Sequence, residues 1–574
     1  MKIRLPYGIS NFRDIVEQNY HYVDRTQYIE HLENRSERYV LFIRPRRFGK
    51  SLFISVLDYY YNIKYAGEFE KLFSKYYIGK KPTTLRNSYL ILKFNFSGID
   101  TKNINSTFEG FLNNVKFGVS RFLHSYKELL NFEISEINNV LNNDSPNICV
   151  SNLFLLFENK KSDAQIYVLI DEYDHFANEL ISFKIDLFNE IVTENGFVRK
   201  FYEVLKSATE SIINRIFITG VTPITLDSLT SGFNIKANLS IKQELNEMLG
   251  FTADETRYLL NETIKDCLSL KTEDLFNEMV ENYNGYLFNE NAKQRMFNSD
   301  MVLYYLLQIY ECRKPTKLLD SNIASDYTKI KNLFQIKNYQ ENYKILEKLI
   351  KDDFVTGEIV EEFSLAKRFD SNDLISLLFY TGIITIKEQE LSTIKFIIPN
   401  YVIKNLYYEF FLNVQSEKVN YELDIFRIQD AILKMAGKGD IKPLVAVVEE
   451  LLIALSKRDY IKFDEKYVKL IFITYLMLSK AYYVYSEQED NPGYKDITCI
   501  GRDVFKIPHH WIIEIKYVKK EDEKRLFTQK CEEAIEQLKK YKIKRELKGT
   551  INKVALVFVG PECKYLEKEK YEIF

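Results

Sequence analysis

Glycine and proline are scarce in this chain: 20 and 11 among 574 residues. Both interrupt regular structure, so their shortage argues against structureless linkers and for long helical segments. Cysteine is rare as well. The six, at positions 149, 267, 312, 499, 531 and 563, include no close pair. That argues against a structural zinc site and a disulfide framework, and for a reducing, cytoplasmic setting. The longest apolar run, LIFITYLML at 470–478, is about half of what a bilayer span requires. MKIRLPYGISNF holds no apolar signal core, so no signal peptide and no membrane contact are expected. A net charge of −2 excludes global attraction to nucleic acid or an acidic membrane, leaving local patches as the only route to such contacts.

Aromatic residues are abundant, with 41 Tyr and 41 Phe, a bias that an AT-rich genome produces without regard to function. Apolar content of 46% and charged content of 28% are those of an ordinary soluble protein, and this length calls for roughly two to four domains. Up to about residue 235, short apolar runs (YVLFI at 39–43, YLILKFNF at 89–96, IYVLI at 166–170, RIFITGV at 215–221) alternate with helical stretches. Strands buried on both faces of a parallel sheet have this pattern, so an α/β doubly wound domain is expected. Residues 240 to 370 read as helical, with Thr252 and Glu255 spaced as a capping box. Residues 373–400 read as helix, strand, turn, strand, a winged-helix-like fragment. Helices follow to about 480, then an α+β region with strands at DITCI, WIIEIKYV and KVALVFV.

The first chemically suggestive stretch is LFIRPRRFGKSLFISVL, 41–57. An apolar strand, a turn, Gly49-Lys50-Ser51 and a helical run form the order of a phosphate-binding loop. Glycine lets backbone N–H groups close on phosphate at a helix N-terminus, the lysine adds charge, and the serine hydroxyl reaches Mg²⁺. The usual leading glycine is replaced by Arg44, and a turn with a capping serine fits the same residues. A second strand, YVLIDEYD, ends in Asp171 and Glu172, suited to holding a metal's water shell and orienting an attacking water. A buried strand ending in a polar turn is the plain alternative. IFITGVT adds Thr219 and Thr222 at a third strand end, where Thr219 suits a γ-phosphate sensor. All three sets fall at strand C-termini, where open α/β sheets bind ligands.

LPYGISNF, YVDRTQYIEHL, RPRRFGKSL, LIDEYD and ITGVTPI together resemble the AAA-ATPase-like family, as do NGYLF (284–288) and FNSDMVLYYL (297–306). The resemblance runs over about residues 3 to 400. It implies a P-loop NTPase of the ASCE type at 1–240 with a helical and winged-helix-like extension at 241–400, and a phosphate loop that lacks its first glycine as a family trait. It also implies ATP with Mg²⁺, bound by Arg47, Phe48, Gly49, Lys50, Ser51, Leu52, Asp171 and Thr219. Ser51 and Asp171 would serve the metal and Glu172 the water. The roles of Arg44, Arg46 and Arg47 stay open among phosphate, a neighbouring element and a carboxylate.

In GYKDITCIGRDVFKIPHHWIIEIKYVKK (493–520), strand alternation puts Glu514 and Lys516 on one side of an otherwise apolar strand. A charged pair there is costly without a task, and Asp496 opens the preceding strand. Two carboxylates, the Ile515 carbonyl and a lysine suit metal-assisted phosphodiester cleavage; an amphipathic edge strand with an exposed Glu–Lys row is the alternative. SEQEDNPGYKDI, IIEIK and EEAIEQLKKY (532–541) resemble the PD-(D/E)XK nuclease superfamily, which implies a restriction-endonuclease-like α+β domain at 446–574 behind a helical connector at 401–445. The resemblance adds Gln537, as a catalytic residue, and Tyr541 on the following helix, and Glu465, with Glu487 weaker, as a further acidic residue at the metal. Lys495 stands where the family has arginine, losing bidentate phosphate contact. Residues 516–548 carry twelve Lys/Arg against seven Asp/Glu, a basic face or a solvated helix. His175 suits a satisfied loop position better than a nucleotide contact, and His509-His510 suit the strand better than a metal. The combined expectation is a nucleotide-gated nuclease acting on DNA with Mg²⁺ or Mn²⁺, homo-oligomeric and serving defence against foreign DNA by analogy alone. The rivals are an ATP-dependent switch or scaffold that binds nucleic acid without cutting, and a chain that only recognises a partner protein.

Overall fold

The computed structural model describes residues 3–176, 191, 196–223, 234–267, 269–320, 333–334, 336, 339–361, 369–419, 423–456, 464–489, 494–541 and 548–573. It divides into two compact units, Met1–Ile345 with Phe354–Tyr401, and Leu346–Asp353 with Val402–Phe574.

In the first unit, β1 (Tyr39–Ile43), β2 (Tyr89–Asn95), β3 (Gln165–Asp171), β4 (Ile213–Gly220) and the short β5 (Ala237–Asn238) form one sheet in the order β2-β3-β4-β1-β5. Every pairing in it is parallel. The strand interiors are buried on both faces, which is why they read as unbroken apolar runs. The helices around it are α1 (Lys50–Tyr61), α2 (Ile104–Ser125), α3 (Pro146–Asn159) and α4 (Phe197–Ala208). Rings from Phe96, Phe111 and Phe201 pack together under one face. Strand β4 is interposed between β1 and β3. A parallel sheet with one strand between the loop strand and the acidic strand is the ASCE arrangement of a P-loop NTPase.

Among the described residues, the unit continues with helices that include α5 (Ala253–Ile264), α6 (Thr272–Tyr283) and α7 (Ser299–Ile309). Thr252 and Glu255 do form the capping box at the start of α5, each side chain accepting from the other's backbone N–H. A three-stranded antiparallel sheet, β6 (Val355–Gly357), β7 (Thr385–Glu390) and β8 (Thr393–Ile397), with α8 (Ser371–Tyr380) before its hairpin, makes the winged-helix-like element. Gly382, at φ 78°, turns the chain between α8 and β7, and a Cβ there would lie 2.7 Å from the Cβ of Pro45. The wing is thereby seated against the phosphate loop.

The cysteine reading needs correction. Cys267 and Cys312 form a disulfide, with Cα atoms 5.3 Å apart across 45 residues of sequence. Helices α5 and α7 pack side by side, so their C-terminal ends deliver two cysteines to one point, a proximity that linear spacing cannot reveal. Cysteines far apart in sequence are thus bonded, and their spacing does not indicate a reducing compartment. Among the described residues no helix is long and apolar enough to cross a membrane.

The second unit holds a mixed sheet of β9 (Tyr482–Glu489), β10 (Tyr494–Gly501), β11 (His509–Val518), β12 (Gly549–Val559) and β13 (Glu562–Ile573), in the order β13-β12-β11-β10-β9. Only β11 and β12 run parallel. Its helices are α9 (Tyr401–Val419, from Val402 on), α10 (Ile425–Lys438), α11 (Lys442–Ser456), α12 (Glu465–Met477) and α13 (Glu523–Lys540). Helix α13 makes the crossover from β11 to β12 and buries Cys531, Ala534 and Leu538 against Ile512, Ala555 and Val557. Helix α12 packs on β9, β10 and β11. Strand β10 begins two residues before Asp496, so that carboxylate sits inside the strand and not at its start.

Candidate active sites

The chain leaves β1 at Ile43 and enters α1 at Lys50. Arg47 (φ 68°) and Gly49 (φ 93°) are both left-handed, which folds the intervening loop back over the helix N-terminus. No side chain caps α1, so its first N–H groups stay available to an anion. Lys50 is buried, its Nζ donating to the carbonyls of Arg44 (3.0 Å) and Pro45 (2.9 Å). Burial pulls its pKa down to about 8, against the opposing pull of Asp171, Asp174 and Glu172.

Arg44, in place of the leading glycine, is 1% exposed. Its guanidinium donates to the carbonyls of Ile43 (2.9 Å), Ser240 (2.6 Å) and Leu245 (2.7 Å) and lies over the rings of Phe42 and Phe288, 4.3 and 4.0 Å from their centroids. Among the described residues it meets no carboxylate, and burial lowers its pKa to about 9. Of the three roles open to the arginines, these contacts are those of a tie to neighbouring elements. The loop's own carbonyls are held from α7. Asn298 Nδ2 donates to Arg46 O (3.2 Å), Ser299 Oγ and Asp300 N donate to Arg47 O (3.1 and 3.3 Å), and Asp300 Oδ2 stands 3.8 Å from Arg47 Nη1. This gives FNSD its local task.

Facing the loop, β3 ends in Asp171, whose Oδ1 is buried without a hydrogen-bond partner among the described residues. Glu172 is left-handed (φ 51°), and its Oε2 lies 3.5 Å from His175 Nδ1. Asp174, which the sequence reading passed over, accepts from Thr222 N and Oγ1 (both 2.7 Å) and Val221 N (3.1 Å), tying the end of β3 to the end of β4. A cavity of about 500 Å³ opens over Gly49, Lys50, Ser51, Glu172, Asp174 and His175, reached also by Arg47, Phe48 and Leu52. Asp171 and Thr219 are buried beside it without lining it, Thr219 Oγ1 also unpartnered. The Phe48 ring packs edge-on against Tyr286 and Phe288. A helix N-terminus, a lysine and an unsatisfied carboxylate oxygen fit a nucleotide's phosphates and a Mg²⁺ ion.

In the second unit, the register pairing Ile497 with Ile513 sets Asp496 beside Glu514. Asp496 Oδ2 accepts from Ile515 N (2.9 Å), and its Oδ1 lies 3.4 Å from Lys469 Nζ. Glu514 (1% exposed) accepts from Lys516 Nζ at 2.8 Å, and the same ammonium is 3.3 Å from Glu465 Oε1 on α12. Burial first, then the charge of Asp496, raises Glu514 to about 7, with Lys516 pulling the other way. Burial pulls Lys516 down, but Glu514, Glu465 and Asp496 outweigh it and the net shift is upward. Glu514 Oε2 reaches no partner at full hydrogen-bond geometry, although Tyr541 stands near enough to steady its charge. Gln537 lies on α13 with its Oε1 buried and unpartnered. The side chain of Glu487 lies outside the described residues. Among the described residues no three His, Cys, Asp or Glu side chains gather into a metal cluster. The two carboxylates, the Ile515 carbonyl and the unsatisfied Oε2 are nonetheless the hard oxygen donors that Mg²⁺ or Mn²⁺ takes.

Lys469 was missed by the sequence reading. Its signal was a lone lysine one helical turn after Glu465, in an otherwise apolar run. Of the basic stretch after Lys516, Arg525 pairs with Asp522 and Lys530 with Glu533, while Lys542, Lys544 and Arg545 lie outside the described residues. His510 serves the strand, accepting from Gly501 N.

Residues 6–230 match the family model for a predicted AAA-ATPase, and residues 463–568 match that of the PD-(D/E)XK nuclease superfamily. The chain thus carries a predicted AAA-ATPase domain at its N-terminal end and a PD-(D/E)XK nuclease superfamily domain toward its C-terminal end, both of enzyme-type families. Among solved structures, the Walker-type ATPase PABY2304 of Pyrococcus abyssi is similar over 67% of this chain and 94% of its own, at 11% identity and a TM-score of 0.39. No curated protein matches the chain.

Proposed function

We propose that the first unit binds and hydrolyses ATP and that the second cuts DNA phosphodiesters with a divalent metal, cutting being gated by the nucleotide. The observation that carries the nuclease reading is the buried Glu514–Lys516 pair beside Asp496, with one Glu514 oxygen left unsatisfied. A buried carboxylate of that kind is expensive unless a ligand completes it. Asp496, Glu514 and the Ile515 carbonyl would hold Mg²⁺ or Mn²⁺, which would supply Lewis acidity and an activated water. Glu465 holds Lys516, and Lys516 orients the water near the phosphate. Gln537, on α13 with its Oε1 unpartnered, would assist at the same site.

In the ATPase unit, Lys50 exchanges its two loop carbonyls for the β- and γ-phosphates. Ser51 and Asp171 serve Mg²⁺, Thr219 senses the γ-phosphate, and Glu172 orients the attacking water, with His175 steadying its carboxylate. Residues 1–240 form the ATPase core, 241–400 its extension, 401–445 the connector and 446–574 the nuclease domain. Defence against foreign DNA, by a homo-oligomer, is the setting this combination suits. The test is a cleavage assay on circular and linear DNA and on RNA, with Mg²⁺ or Mn²⁺ and ATP varied. Metal-dependent scission of DNA that responds to ATP supports the reading, and intact substrates under every condition contradict it.

A further inference from the structure

Helices α5 and α7 are tied together at both ends. Just before they start, Phe251 and Phe297 exchange backbone hydrogen bonds of 3.1 and 2.8 Å. That end faces the nucleotide cavity. Asn298, Ser299 and Asp300 hold the phosphate-loop carbonyls of Arg46 and Arg47, and Leu259 of α5 and Leu303 of α7 line the cavity wall. Glu255, in the first turn of α5, pairs with Arg25, whose guanidinium also donates to Gly250 O (2.8 Å) on the same wall. At the other end the chain runs three residues past each helix to a cysteine, and there Cys267 and Cys312 are bonded. Cys312 is left-handed (φ 61°), a conformation that a residue with a Cβ keeps where its surroundings hold it. Beyond it, Lys317 O accepts from Gln308, Leu318 O accepts from Tyr283 Oη, and Asp320 accepts from Tyr7 Oη. Tyr7 lies between Pro6 and Gly8, which line the cavity as well.

From this placement we propose that the Cys267–Cys312 bond is a redox switch on nucleotide affinity, the bonded form binding ATP tightly and the dithiol form weakly. The proposal rests on the nucleotide reading of the first unit. The chemical step is thiol–disulfide exchange with a dithiol reductant. A reductant thiolate attacks Cys312 Sγ, on the half-buried side of the bond, and forms a mixed disulfide. The Cys267–Cys312 bond breaks, and Cys267, 4% exposed, leaves as a thiolate and takes up a proton. The reductant's second thiol then displaces Cys312. Two protein thiols and one reductant disulfide result, two electrons having passed to the protein. Without the bond, Cys312 is no longer held left-handed, and the ends of α5 and α7 lose their covalent tie. The support that α7 gives the phosphate loop, and the segment leading to Asp320, loosen together. The coupling is reciprocal: ATP makes the bond harder to reduce by the factor that the bond raises affinity for ATP.

The test uses the full chain, Mg²⁺ and the non-hydrolysable ATP analogue AMP-PNP. Calorimetry measures AMP-PNP affinity for the oxidised and the dithiothreitol-reduced protein, and alkylation with peptide mass spectrometry reports the state of Cys267 and Cys312. The bonded form is expected to bind at least about fivefold more tightly than the dithiol form. In buffers of varied dithiothreitol ratio, AMP-PNP is expected to raise the ratio needed for half-reduction by the same factor. A chain carrying both Cys267→Ser and Cys312→Ser is expected to bind like the reduced wild type whether or not dithiothreitol is present, which excludes the four free cysteines as the source. Equal or tighter binding by the dithiol form, with only the unfolding midpoint changed, reduces the bond to a structural staple and overturns the proposal while leaving the nucleotide site standing. Alkylation of both cysteines before any reduction overturns it too. Absence of AMP-PNP binding by both forms overturns the nucleotide reading and the proposal together.

Discussion

Replacing Arg44 by alanine tests whether the residue in the leading-glycine position braces the loop or binds phosphate. The side chain donates to three carbonyls and is sandwiched between Phe42 and Phe288. Alanine leaves the Ser240 and Leu245 carbonyls without that donor and opens a gap between the rings. Each orphaned buried acceptor costs about 1 kcal/mol or more, and the lost ring contacts about another 1 kcal/mol. Relief from holding an unpaired charge in the interior returns part of that, so a net loss of about 2 kcal/mol is expected. Arg44→Gly, which restores the common form of the loop, should lose about 1 kcal/mol more through backbone entropy. Lysine should not rescue, since one ammonium cannot span the acceptors that a planar fork reaches. The assay pairs urea unfolding with ATP titration under conditions where the variant is folded. The expected result is a lowered midpoint for the first unit with ATP affinity within about threefold of wild type. Unchanged stability with a large loss of ATP affinity would refute the bracing role.

Other outcomes follow from the same geometry. Lys50→Ala should abolish ATP binding in calorimetry, and Glu172→Gln should retain binding but lose turnover in a phosphate-release assay. Gly382→Ala should weaken both stability and ATP affinity, because its φ of 78° and the 2.7 Å approach to Pro45 leave a methyl group no room. Glu514, raised to about 7, holds its proton in the folded state across a pH range in which the unfolded chain releases it. Without metal, the stability of the second unit should therefore be fully present below about pH 4.5. It should fall by at most about 3 kcal/mol as pH rises to about 7. Chemical unfolding at pH 5 and pH 8 in chelator checks this, with Glu514→Gln expected to flatten the difference.

The parallel sheet was legible because β1 to β4 are buried on both faces and leave apolar runs with clear ends; β1 was read to the residue at Tyr39–Ile43. Strands β9 and β13 were not, since YYVYSEQE and ECKYLEKEKYEI interleave charged residues with apolar ones and lack that contrast. The placement of Glu514 and Lys516 on one side of β11 follows from strand alternation alone. Their burial does not, because it depends on α12 and α13 packing over the sheet. Arg44 was visible as an oddity, but two of its three carbonyl partners, Ser240 and Leu245, lie far along the chain. Lys469 and Asp174 are single residues whose meaning comes from what faces them, and the Cys267–Cys312 bond depends on how two helices lie together. Contacts of long sequence separation are what one sequence conceals.

The most direct measurement of the central claim is strand scission of closed circular DNA by the full chain in Mg²⁺ with ATP, set beside Asp496→Ala and Lys50→Ala. The account predicts nicked and linear product from the wild type and loss of on the order of a hundredfold or more in rate for Asp496→Ala. It predicts loss of the ATP response for Lys50→Ala. Scission by Asp496→Ala at the wild-type rate, or no scission by any of the three, would contradict it.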